Sequence, residues 1–553
     1  MRKYFFYPLA LLLLLVAGIL ASRAQAPQGG ALLKEFRPIG GGGNNLVHPE
    51  FDATPGSAEL NIAPLRFADL STLAPMSGPN PRAISNLIAG GTSDSGANWE
   101  TTDPAASAWL YVFGQLVDHD LSLESSSPEG EAIDITIASG DPFMAAGGFI
   151  RMTRDNKSTT TNTAITATAG YLDLSQLYGS TKEVAASLRA SDGTLNSSHD
   201  GSALAISNGR FVSGDSRVAE NPAVAMATIL FMREHNYWVG ELKRQHPDWT
   251  GDNYYDMARA ITTAEYQNII YGEYLPVLIG PVLGPYQGYD AHTNAQVTQE
   301  FTTAAFRVGH SQVSQVQQGR DNDGKITYTQ SLAQSFYNTP EEICTNGINA
   351  LMRNVTVEFA QATDVFTVPD LRNMLFSRLP GGNTDLVDLI AIDVQRGRDL
   401  GLNTLNETRS ALGLTPYASI AALTPDHNLQ AKFTEVYGDI DHVDLFMGGQ
   451  AEVHTGGGVV GETFREILRR QFHALRVGDR FFWANQGFDT TLADRISRTT
   501  FGDIIKRNSD TVRVPANVWL TQGDGAPPPA RKPLAPAAKI DNHGRLGVPF
   551  LGR

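Results

Sequence analysis

The residues whose types and spacing could do chemistry lie together in Phe113-Gly-Gln-Leu-Val-Asp-His-Asp-Leu121. His119 is bracketed by two aspartates, and an imidazole beside carboxylates can move protons near neutral pH. Gln115, Asp118 and His119 are spaced i, i+3, i+4, which puts them on one face of a helix. Asp120 lies about 160° round the helix from Asp118, so the two acids face different surroundings and have different tasks. On spacing alone the stretch also fits a helix end with solvated acids and a core histidine. Residues elsewhere decide between the two.

The elements that must position these residues are partly legible. Asp103 and Pro104 read as the cap and first position of a helix running to about Leu121, with Trp109, Val112, Phe113 and Leu116 as its apolar stripe. Gly214-Asp-Ser-Arg217 reads as a turn, and Asn221-Pro222 as the start of a long helix to about Gln245, ended by Pro247. Tyr171-Leu-Asp-Leu-Ser175 offers alternating oxygen donors of the kind a hard cation takes. His310 falls in a short helical segment, 303–311. Asp321-Asn-Asp-Gly324 resembles part of an EF-hand, but the twelfth position is Leu332 and not glutamate, so it reads as a turn.

The whole chain sets the bounds. Its 553 residues, 42% hydrophobic and 18% charged, are ordinary globular material with ample apolar side chains for a large core. Basic Arg2-Lys3, the apolar run from Leu9 to Leu20 and Ala24-Gln25-Ala26 read as a cleavable export signal, residues 1–26, the alternative being an uncleaved membrane anchor over Tyr4 to Ser22. Its removal takes Arg2, Lys3 and Arg23 and no acid, moving the formal charge from -15 to -18. A chain this acidic is a poor nucleic-acid binder, and with the signal cleaved no stable membrane insertion is expected. Cys344 is the only cysteine, which excludes an intramolecular disulfide. The Gly- and Pro-rich stretch 27–50 reads as extended or mobile, residues 51–523 as one domain, and 524–553 as a Pro- and Ala-rich tail.

Gly-Gln-Leu-Val-Asp-His-Asp resembles the distal-histidine signature of the animal-type haem peroxidases, the peroxidase–cyclooxygenase superfamily. Six further segments match in the same order: Tyr171 to Ser180, Gly214 to Glu220, Arg233 to Asn236, Phe306 to His310, Asp393 to Asp399 and Arg476 to Trp483. The resemblance implies a mainly α fold, a single large helical haem-peroxidase domain with few short strands. The absence of disulfides is similar to an exported bacterial member, secreted or periplasmic.

It also implies roles. His119, Arg217 and Gln115 match the family's catalytic set, His310 the axial ligand to haem b iron, and Asp118 and Glu220 the carboxylates that form esters with haem. Arg307 and Arg396 match arginines that meet the haem propionates. Calcium would be held by Asp120, Asp173, Ser175 and the Tyr171 carbonyl, with Thr168 one position from where the family has its threonine, here Ala169. Asp393 stands where vertebrate members have asparagine; a carboxylate acceptor gives the axial imidazole more imidazolate character and makes a milder oxidant. His235 is not an iron ligand in the family and reads as a packed, hydrogen-bonded helix residue. Asn221 occupies the position of a methionine that makes a third haem link in one member, so bromide, iodide and thiocyanate are expected donors ahead of chloride. The expected reaction is reduction of hydrogen peroxide with oxidation of such anions, or of aromatic one-electron donors. The rivals are a cyclooxygenase-type fatty-acid dioxygenase, which would need a tyrosine where Arg307 stands, and a non-catalytic exported haem-binding or adhesion module.

Overall fold

The structure is a computed structural model that describes residues 31–66, 78–98, 102–123, 130–144, 146–336, 339–376 and 385–521. The expected signal segment and the 524–553 tail lie outside these residues. The fold is mainly helical, and among the described residues the paired strands form only two-stranded antiparallel ribbons. No helix among them is long and apolar enough to cross a membrane.

The centre is the helix Pro222–Gln245, whose residues Pro222 to Met232 are all buried. Its start is set by sequence: the Asn221 side chain accepts hydrogen bonds from the amides of Ala223 and Val224, and Pro222 sits at the first turn, where its missing N–H costs nothing. Around it pack the helices Trp109–Leu121, Gly251–Ile269 and Phe501–Asn508, together with the segment Thr339–Val357, which kinks at Gly347. Phe113 joins these layers. Its ring lies between 5.0 and 6.3 Å from the rings of Phe231, Tyr266, Tyr274, Phe501 and Trp519. Gly114 beside it allows the close approach, since a Cβ there would sit 2.8 Å from the Tyr274 hydroxyl.

The helix carrying His119 begins at Trp109 and not at Pro104. Residues Thr102–Ser107 form a strand instead, antiparallel to Phe359–Gln361. Long-range partners override the local cap signal: the Ser107 hydroxyl donates to the Val518 carbonyl at 2.5 Å, and Trp109 Nε1 donates to Thr356 Oγ1 at 3.0 Å. None of these partners is near in sequence.

The stretch read as mobile also differs. In its described part, Arg37 is buried and donates to Asp479 at 2.5 Å and to the Phe481 carbonyl at 3.1 Å, while Asn44 donates to the same carboxylate at 2.8 Å. The Arg259 guanidinium in turn donates to the Arg37 carbonyl at 2.7 Å. A buried ion pair thus ties residues 31–50 to the body. Removing one partner strands the other charge in the interior, so Asp479→Ala is expected to cost about 3–5 kcal/mol, read as a lowered thermal unfolding midpoint. A loss of under about 0.5 kcal/mol, the size of an ordinary surface substitution, would contradict this assignment.

Candidate active site

A cavity of about 390 Å³ lies between two histidines. One wall is the His119 helix, presenting Tyr111, Gln115, Asp118 and His119 in the register its spacing predicts, and the facing wall runs from Phe306 to His310. Glu220 and Asn221 also line it, and the remainder is mostly apolar, with Val313, Leu332, Phe336, Leu371 and Leu389 beside Gln312 and Gln317.

On the His119 side Asn221, Gln115 and Glu220 are linked in a chain of hydrogen bonds. Asn221 Oδ1 is committed to its helix cap, so its Nδ2 donates to Gln115 Oε1 at 3.0 Å, and Gln115 Nε2 donates to Glu220 Oε2 at 3.3 Å. That carboxylate oxygen is 3.8 Å from His119 Nε2. Burial pulls the His119 pKa down to about 3, helped by the Arg217 charge and opposed by Asp215 and by hydrogen bonding from Gln176, so the imidazole is neutral. Glu220 is pushed up to about 7 by burial, against the pull of Arg217 and with Asp215 and Asp118 adding repulsion.

Arg217 sits on the short 3-10 turn Ser216–Ala219, capped by Asp215. Its guanidinium donates to Asp215 at 2.6 Å and to the carbonyls of His119 and Ser122 at 3.2 and 2.7 Å, so it caps the end of the His119 helix with positive charge. Burial opposes its charge, but Asp215, with Asp118 and Glu220, more than offsets that. Arg217 lines a second cavity of about 260 Å³, which shares Glu220 with the first. The turn fits because residue 214 is glycine: a Cβ there would meet the Ser175 carbonyl at 2.1 Å.

Across the cavity, His310 Nδ1 is 2.6 Å from Asp393 Oδ2, which leaves Nε2 for the cavity the ring lines. Asp393 is fully buried, and its other oxygen accepts from Arg307 Nη1 at 2.8 Å. Arg307 lines the cavity; Arg396 is not among the lining residues. Arg396 is bound to Asp155 at 3.0 Å, Asp399 at 2.7 Å and the Thr153 carbonyl at 3.0 Å, a buried ion-pair cluster that supplies all the partners its position shows. The propionate contact expected of it therefore gains no support.

Asp120 faces away from the cavity, as its spacing from Asp118 requires. It accepts from the amides of Leu174 and Ser175 at 3.0 and 2.5 Å and from the Ser175 hydroxyl at 2.9 Å. Leu174 adopts the left-handed conformation (φ 59°), which lets consecutive amides converge on one carboxylate. Beside it, burial raises the Asp173 pKa, and Asp120 is raised by burial and by Asp173. His235 is a packed helix histidine, its ring nitrogens 3.0 Å from the Tyr178 hydroxyl and 3.0 Å from the Gly193 carbonyl. Asp215, Gln176 and the orienting role of Asn221 were missed at the sequence level; only the Asn-Pro cap at 221 carried a local signal.

Two histidines lining one largely apolar cavity on this helical frame make a site of the haem-binding oxidoreductase class. The family model "Animal haem peroxidase" matches residues 36–519, and the chain belongs to that family. It is a peroxidase, and members of the family bind haem. Peroxinectin A of Dictyostelium discoideum is 28% identical over 519 residues, covering 87% of this chain and 94% of the relative. Lactoperoxidase of Mesocricetus auratus is 29% identical, covering 87% and 77%. Among solved structures, peroxidase A from Dictyostelium discoideum superposes with a TM-score of 0.79 at 27% identity, covering 88% of this chain and all of that one. A fatty acid alpha-dioxygenase from Oryza sativa has a TM-score of 0.74 at 21% identity, a likeness of fold alone.

The residues fit haem: an imidazole, His310, whose anchored Nδ1 leaves Nε2 to the cavity, largely apolar walls, and two carboxylates among the lining residues. For a cation beside Asp120 the donors fit in part. Asp173 Oδ1 is buried without a hydrogen-bond partner and lies next to a second carboxylate, whereas the Thr168 hydroxyl is taken by Thr166 at 3.1 Å. Calcium at Asp120, Asp173, Ser175 and the Tyr171 carbonyl predicts that added calcium raises the thermal midpoint and that Asp173→Asn removes the rise. Equal midpoints with calcium and with a chelator would contradict it.

Proposed function

We propose that the protein reduces hydrogen peroxide at a haem held between His119 and His310, and oxidises small anions such as bromide, iodide or thiocyanate, or aromatic donors. The observation that carries this reading is the pair of histidines lining one cavity: a neutral, buried His119 and a His310 whose Nδ1 is anchored to Asp393. When bound, haem supplies the redox centre that takes oxidising equivalents from peroxide and hands them to the donor.

The chain's own residues handle protons and charge. His119 Nε2 takes the proton from one peroxide oxygen and returns it to the other as water leaves, general base and then general acid. The Arg217 charge, already felt at both His119 and Glu220, opposes the negative charge that develops as the O–O bond breaks. Gln115, held by Asn221, presents its NH2 to the cavity side and orients water or an anion there. His310 would hold the iron, and Asp393 would keep its ring orientation and raise its basicity. Arg307 shares that carboxylate through its other oxygen.

Asp118 and Glu220 both line the cavity and are the proposed ester partners. The pKa of Glu220, pushed up to about 7, suits a group that must be taken up in neutral form. Export is proposed from residues 1–26 alone. At the position where a cyclooxygenase-type reading needs a tyrosine there is Arg307, engaged with Asp393, and this favours the peroxidase reading.

In haem-loaded protein, His119→Ala is expected to slow the reaction with peroxide by about 10²-fold or more while haem stays bound, followed by rapid-mixing absorbance. An unchanged rate would remove His119 from the mechanism. After exposure to peroxide, acid–organic extraction is expected to leave haem on the parent protein and to release it from the Asp118→Asn, Glu220→Gln double variant. Free extraction from the parent would rule out the ester links.

A further inference from the structure

A base must present a lone pair, and an imidazole has two nitrogens on which its proton can sit. His119 Nδ1 is buried and completes no hydrogen bond of good geometry, and the same holds for Oε1 of Gln176, a fully buried side chain. The two groups are neighbours: Asp120, next to His119, accepts from the amide and hydroxyl of Ser175, the residue before Gln176, and Gln176 is among the groups felt by the His119 ring.

Which end of the Gln176 amide faces the ring is settled from its other side. Gln176 Nε2 is 2.8 Å from Thr228 Oγ1, and Thr228 Oγ1 is 2.8 Å from the Val224 carbonyl. A hydroxyl has one proton, and a carbonyl can only accept, so the Thr228 proton goes to Val224. Thr228 can then only accept from Gln176. The amide NH2 is thereby fixed towards Thr228 and its carbonyl oxygen towards the imidazole, where it accepts only from a protonated nitrogen.

We propose that Gln176 is a positioning residue which, oriented by Thr228, holds His119 in the tautomer with its proton on Nδ1 and so keeps Nε2 bare to receive the proton of peroxide. The proposal rests on the reading of His119 as that base. The step moves one proton from a peroxide oxygen to Nε2 and changes no oxidation state. The relay begins on the Pro222–Gln245 helix, crosses the short helix Ser175–Tyr178 and ends at His119, so it ties the base to the central helix of the fold.

The test uses haem-loaded protein and two rates, reaction with peroxide and binding of hydrogen cyanide, since cyanide also gives its proton to the base yet undergoes no turnover. Thr228→Val removes the acceptor without touching His119 and lets the amide turn over; Thr228→Ser keeps it. Expected are losses of at least about tenfold in both rates for Thr228→Val and Gln176→Leu, with Thr228→Ser within about twofold of the parent and haem absorbance and thermal midpoint retained. Thr228→Val and Thr228→Ser behaving alike, whether both fast or both slow, would overturn the proposal even if Gln176→Leu failed to fold. His119→Ala serves as the reference: slow His119→Ala beside fast Thr228→Val removes only the amide's role, whereas fast His119→Ala removes the base and this proposal with it.

Discussion

The site depends on the buried carboxylate of Asp120 gathering the amides of Leu174 and Ser175. That one interaction fixes the end of the His119 helix against the short helix that follows Leu174. It is maintained at a cost, for Leu174 holds a left-handed conformation and the acid is buried beside Asp173. From this junction the rest is placed. Gln176 is one residue past Ser175, on the His119 side of the junction, and Gly214 lets the Arg217 turn lie against the Ser175 carbonyl. Arg217 then closes on the carbonyls of His119 and Ser122, so base, arginine and helix end share one support.

The two faces of the cavity are tuned in opposite senses. On the His119 side, burial and the Arg217 charge keep the imidazole neutral, while Glu220 is held near the middle of its titration at neutral pH. On the His310 side, a fully buried carboxylate binds the ring, and Arg307 balances it from the other oxygen. A lone buried Asp393 would carry an uncompensated charge, which is expensive in an interior, so the arginine stabilises the acid that the histidine needs. The same sharing explains why Arg307 differs from a residue free to serve only a propionate.

Much of this was legible in the sequence because it is local. The i, i+3, i+4 spacing put Gln115, Asp118 and His119 on one wall and sent Asp120 elsewhere, and Asn221-Pro222 marked the start of the long helix. What was not legible depends on partners far along the chain. Asp103-Pro104 has the form of a helix start, yet the backbone there pairs with Phe359–Gln361. Residues 31–50 lack periodicity, yet Arg37 finds Asp479. Arg396 matched a propionate contact in order along the chain, but Asp155 and Asp399 take its charge. Gln176 and Thr228 carry no pattern at all, since an amide and a hydroxyl acquire meaning only once their neighbours are fixed.

The central claim is that this frame makes a peroxide-reducing centre that small anions discharge. Sequential rapid mixing tests it most directly: haem-loaded protein is mixed with hydrogen peroxide, then with bromide, while the haem absorbance is followed. The account predicts a fast change on the first mix that bromide reverses in one kinetic phase. No change with peroxide would contradict it outright, and a change that only phenols reverse would contradict the choice of anions as donors.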